Sequence, residues 1–259
     1  MKNVKNTIDA IFRNKTKALV PYITAGDPTM EKSLQLLDFL ASNNATMIEI
    51  GVPFSDPMAD GEVVQRAMSR ALGFSLENTF QLIEKFRENH QTPLILMGYL
   101  NTFNSYGFEK LTKKMNELKI DGIIIVDLPL EEVDKLSNIF EEQNIHIIPL
   151  ISPLTSIERL NIMKQYYSGF AYLISVTGTT GIRNELPEDI KTKAQIVKNQ
   201  MQLPVLLGFG VSKPEIIEKF KNEVDGFIIG SALIRAWEED NFTVGEHVTN
   251  FWKSMVEKI

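Results

Sequence analysis

An eightfold repetition constrains this chain more than any other feature. A short apolar run, a turn and an amphipathic stretch of helical period recur along most of its length. The runs are Ala18–Ile23, Thr46–Ile50, Pro93–Met97, Gly122–Val126, His146–Ile151, Phe170–Ser175, Pro204–Leu207 and Gly226–Ile229. Between them lie segments such as Glu31–Ser42, Glu77–Asn89, Glu131–Glu142 and Pro214–Phe220, whose apolar residues recur at helical spacing. Strands alternating with helices pair in parallel through right-handed crossovers. Eight such units close into a (β/α)8 TIM barrel more readily than they form an open sheet. Val4, Ile8, Ile11 and Phe12 make one face of a further helix, read as a cover over the barrel's N-terminal end. No linker or composition shift interrupts the pattern. At 259 residues, 44% of them hydrophobic, the chain reads as one domain spanning residues 1–259.

Charge and composition exclude several classes. The net charge is −6, with both signs mixed along the chain, so no basic stripe points to nucleic acid or to an anionic membrane. No apolar run approaches the ~18 residues of a membrane span. No apolar stretch follows the N-terminal lysines, so no signal peptide is expected. The absence of cysteine excludes disulfides, thiolate nucleophiles and cysteine metal sites, and it fits a cytoplasmic protein. His90, His146 and His247 show no metal-ligand spacing and are assigned structural or surface roles.

Active sites of such barrels collect at the C-terminal ends of the strands. The sequence after each run is accordingly unusual: Thr24–Pro28, Glu49–Gly61, Gly98–Asn101, Asp127–Pro129, Ser152-Pro153, Thr177–Gly181, Gly208–Ser212 and Gly230-Ser231. Strand alternation puts Met47, Glu49 and Gly51 on one face and Ile48 and Ile50 on the other, so Glu49 faces the lumen if the isoleucines face the helices. A carboxylate there is costly, because burial disfavours its charged form. A buried structural pair is the alternative: no arginine or lysine lies in the nearby strand ends apart from Arg183 in a later loop, which leaves a hydroxyl or backbone donor as the structural partner. Asp56 and Asp60 follow in the loop. Asp56 suits a turn, and Asp60 reads either as a helix N-cap or as a second catalytic acid. Gly208-Phe209-Gly210 and Gly230-Ser231 end the seventh and eighth runs. Each alone also reads as a tight turn, but together they occupy the usual phosphate position of a barrel. Thr177–Leu186 is polar and long enough for a lid over the barrel mouth.

The run Glu49–Gly61 resembles the signature of the tryptophan synthase alpha subunit family. Pro21–Pro28, Gly98–Asn101, Asp127–Pro129, Ser175–Gly181, Gly208–Gly210 and Gly230-Ser231 extend the resemblance over essentially the whole chain. It implies retro-aldol cleavage of indole-3-glycerol phosphate, with Glu49 and Asp60 as the catalytic acids. It also implies an indole slot lined by Tyr22, Tyr99 and Tyr172, and lid residues at Thr180 and Gly181. Phosphate contacts fall to Gly181, Gly208, Phe209, Gly210, Gly230 and Ser231. The partner it implies is a beta subunit carrying pyridoxal phosphate in an alpha2beta2 heterotetramer, met by the Pro53–Asp60 and Asn101–Asn104 segments. No cofactor is expected in this subunit itself. Tyr22 and Val176 depart from the common pattern, where phenylalanine and arginine are frequent. A neighbouring phosphate-binding barrel enzyme is the rival reading. An indole-glycerol-phosphate synthase needs a lysine at the strand ends, and none stands there. A subunit that mainly activates its partner is the second rival.

Overall fold

The computed structural model describes residues 5–14, 16–174 and 189–259. Its strands are β1 (Ala18–Thr24), β2 (Ile48–Gly51), β3 (Leu94–Gly98), β4 (Gly122–Ile125), β5 (His146–Ile147), β6 (Leu150–Ile151), β7 (Ala171–Ile174), β8 (Val205–Gly208) and β9 (Gly226–Ile229). All pairings are parallel, in the order β5-β4-β3-β2-β1-β9-β8-β7-β6. The two terminal strands of that order are consecutive in the chain, separated only by Ile148 and Pro149. The Ile148 N–H donates to the Ile123 carbonyl at 2.9 Å, and the Pro149 carbonyl accepts from the Tyr172 N–H at 3.0 Å. The run His146–Ile151 therefore pairs with β4 through its first half and with β7 through its second, and this closes the barrel. Reading that run as one uninterrupted strand needs correction. Proline has no N–H to donate to a ladder, so the pairing changes partner at Pro149.

Strand alternation divides the core into two layers. Ile48, Ile50, Leu94, Leu96, Ile123, Leu173 and Leu207 pack outward against the helices. Val20, Tyr22, Met47, Ile95, Met97, Ile124, Tyr172 and Leu206 fill the lumen. Helices at Met30–Ser42, Leu76–Arg87, Leu130–Glu142 and Pro214–Phe220 occupy the segments of helical period. Side chains start two of them: Thr29 accepts from the Lys32 N–H, and Ser75 makes a reciprocal capping box with Asn78.

The helix Thr7–Arg13 covers the barrel's N-terminal end. Its cap, Asn6, donates to the Asp121 and Asn144 carbonyls, just before β4 and β5. Ile8 is fully buried, and the Phe12 ring meets Phe170 edge-on. Val4 lies outside the described residues. His146 is buried between Ser168 Oγ and Asp9 Oδ2, each 2.9 Å away. His90 and His247 pair with Asp38 and Asp240. Among the described residues, no helix is long and apolar enough to cross a membrane, and no group of three or more acids and histidines could hold a metal ion.

Candidate active site

β2 sets Glu49 into the barrel between Tyr22 of β1 and Ile95 of β3. The residue is 0% exposed, and neither carboxylate oxygen has a hydrogen-bond partner among the described residues. Such a group resists ionisation, because the charge would lose water and gain nothing in return. Burial, and then the charge of Asp60, pushes its pKa up to about 8.

Beyond β2 the chain turns through a loop that buries Asp60 again. Its backbone is held on both sides: the N–H donates to the Pro57 carbonyl at 3.0 Å, and the carbonyl accepts from Gln65 Nε2 at 2.8 Å. Its Oδ2 accepts a 2.7 Å bond from the Tyr99 hydroxyl. The next helix, Glu62–Arg70, is capped by Gly61 without any side-chain bond, so Asp60 is not its N-cap. Tyr99 in turn accepts from the Ala59 N–H at 3.1 Å and stacks on Phe54 with centroids 4.6 Å apart. Burial raises the Asp60 pKa to about 6, and the Tyr99 bond restrains that rise. Asp56 stays exposed on the loop, where it accepts from Ser55 Oγ at 2.7 Å.

The arrangement thus holds two carboxyls in different states near neutrality. Ionised Asp60 discourages ionisation of Glu49, which keeps Glu49 a proton donor. Tyr22 and Tyr172 are buried beside them, and burial and the two acids push both hydroxyls well up. Their rings lie against glycines. A Cβ on Gly51 would meet the Tyr22 hydroxyl at 2.1 Å, and one on Gly208 would meet Tyr172 Cε1 at 2.3 Å.

At the other side of the mouth, β8 ends in Gly208-Phe209-Gly210, with Phe209 and Gly210 both left-handed at φ 57° and 87°. The Phe209 ring packs edge-on against Tyr172. Gly230 ends β9 and caps the helix Ser231–Glu239 without a side-chain bond. The first N–H groups and the positive dipole end of that helix are suited to an anion. Thr180 and Gly181, with the rest of Thr177–Leu186, Arg183 and Val176, lie outside the described residues. Sequence reasoning missed Gln65 and the ion cluster of Asp27, Arg70 and Glu238, which join segments far apart in the chain. No local pattern marks them.

A closed parallel barrel with two dry carboxyls of separated pKa at its C-terminal mouth has the form of a (β/α)8 enzyme. Comparison with known proteins narrows that class. The family model for the tryptophan synthase alpha chain matches residues 8–257. The tryptophan synthase alpha chain of Alkaliphilus metalliredigens is 40% identical over 262 residues, covering 99% of this chain and 98% of that one. That of Legionella pneumophila strain Lens is 41% identical over 240 residues, covering 90% and 87%. A crystal structure of the Legionella pneumophila subsp. pneumophila alpha chain superposes with a TM-score of 0.86 at 34% identity, covering 100% of this chain and 97% of that one. A chain of the tryptophan synthase α2β2 complex from Pyrococcus furiosus gives 0.87 at 35%, covering 93% and 98%. The chain belongs to the tryptophan synthase alpha chain family, and it is a lyase of that family.

Proposed function

We propose that Glu49 and Asp60 cleave indole-3-glycerol phosphate to indole and glyceraldehyde 3-phosphate. The observation that carries this reading is the pairing of a carboxyl protonated at neutral pH with a neighbour that is mostly ionised there. Glu49 protonates indole C3, which makes that carbon tetrahedral and the ring cationic. Asp60 accepts the indole N–H and stabilises the positive charge. The Glu49 carboxylate then takes the proton of the adjacent glycerol hydroxyl. As the aldehyde forms, the carbon–carbon bond breaks and its electron pair returns to the ring. Glu49 ends protonated, ready for another turn. Each such proton transfer is worth about 10²–10⁴ in rate.

In this reading Tyr22, Tyr99 and Tyr172 border the indole, and Tyr99 also holds Asp60. The backbone of Gly208, Phe209, Gly210, Gly230 and Ser231, with Gly181, takes the phosphate. Thr180 is the lid residue that the family resemblance implies. The enzyme is one barrel domain working in the cytoplasm, and indole passes to a beta subunit that carries pyridoxal phosphate. The exposed loop around Asp56 and Met58, the latter 77% exposed, suits that contact. The similarity to a chain of an α2β2 complex supports it.

The test is a coupled assay for indole release. The parent chain should release indole from indole-3-glycerol phosphate, and Glu49→Gln should lose at least about 10²-fold in kcat with inorganic phosphate binding unchanged. Normal turnover by Glu49→Gln would remove Glu49 from the mechanism.

A further inference from the structure

Arg70 is the hub of an ion cluster that touches neither acid. Its Nε and Nη2 make a fork on Asp27, at 2.7 and 2.8 Å, and Nη1 reaches Glu238 Oε1 at 2.6 Å. Arg66, one turn earlier on the same helix, takes the second Glu238 oxygen at 3.1 Å. The guanidinium of Arg70 also lies over the Phe242 ring at 5.0 Å. Trp237 Nε1 donates to the Asp27 carbonyl at 3.3 Å. Asp27 is nearly inaccessible, and Arg70 and Glu238 are mostly covered.

The cluster's placement suggests a role. The helix Glu62–Arg70 begins two residues after Asp60, and its Gln65 holds the Asp60 carbonyl. The helix Ser231–Glu239 begins at Gly230, the anion end of the site, and ends with Glu238 in its last turn. Glu238 grips the first helix at two points one turn apart, which fixes its rotation as well as its position. A helix of nine residues transmits such a constraint about 13 Å to its other end. Bidentate arginine contacts supply the directional rigidity.

We propose that Arg66, Arg70 and Glu238 form a positioning brace that fixes Asp60 relative to the anion-binding helix, setting kcat without touching substrate. The proposal rests on the reading of Asp60 as a catalytic acid. Glu238→Ala breaks the brace and leaves the Arg70–Asp27 fork in place. In the full chain it should lower kcat about tenfold and change KM less than about twofold. In the Asp60→Asn background the same substitution should cost less than about twofold, because the two act through one group. A wild-type kcat, or an equal loss in both backgrounds, overturns the proposal. If Glu238→Ala does not fold, Glu238→Gln keeps the side-chain length and removes the charge that holds both arginines. It should lower kcat about threefold in the parent only, with the same overturning results. Failure of the parent chain to release indole would sink the assigned reaction instead. The brace would then be judged by hydrogen exchange at Asp60–Gln65, which should quicken at least about fivefold in Glu238→Ala and would refute the brace if unchanged.

Discussion

Substituting Glu49 separates chemistry from stability, because the feature that makes it an acid also burdens the fold. Its folded pKa of about 8 lies above the ordinary glutamate value of 4.5. The protonated form therefore fits the fold, and stability is lost as pH rises from the unfolded value through about 8. Glu49→Gln should match the parent in Tm near pH 4 and exceed it by roughly 5 °C at pH 8.5, measured by calorimetry. Equal Tm values at both pH values would mean that the carboxyl is not strained by burial. Asp60 titrates in the same sense at lower pH, so turnover should follow a bell with limbs near 6 and 8. Tyr99→Phe removes the bond that restrains the Asp60 rise. Its acidic limb should move up by about one unit while the basic limb stays. An unmoved acidic limb would detach Tyr99 from the ionisation of Asp60.

At the scale of elements, the strands place the groups and the loops choose their partners. Glu49 was legible from sequence because alternation along β2 follows local geometry, and its isoleucines do face the helices. Asp60 was legible only as an acid near a helix start. Its bond to Tyr99 spans 39 residues of chain, so cap and buried acid looked alike until β3 was packed beside the loop. The partner change at Pro149 was less visible, since an apolar run keeps its composition when its ladder switches sides. The N-terminal helix offers an independent check on what positions the site and what merely closes the barrel. Asp9→Ala removes the bond to buried His146 at the end opposite the acids. Urea denaturation should show a loss of about 1–2 kcal/mol with kcat unchanged. A large fall in kcat would show that the cover reaches the chemistry.

At the scale of the molecule, the loop after β2 carries exposed side chains at the barrel mouth. Asp56 and Met58 are exposed, and their loop is tied through Tyr99 to the carboxyl of Asp60, the second acid of the proposed reaction. Adding a tryptophan synthase beta subunit should raise indole release several-fold by ordering that loop, read as kcat on titration; an unchanged kcat at saturation would refute the coupling. The sequence by itself determined the eightfold alternation, the face on which Glu49 lies and the glycine-rich ends of the last two strands. These follow from periodicity and from backbone geometry, which act over a few residues. Only the tertiary structure decided that Glu49 has no hydrogen-bond partner among the described residues, that Asp60 belongs to Tyr99 and that Arg70 joins Asp27 to Glu238. Those contacts bridge separations of 39, 43 and 168 residues. Burial and electrostatic environment are properties of the closed barrel, and they exist only once distant segments have excluded water from the same space.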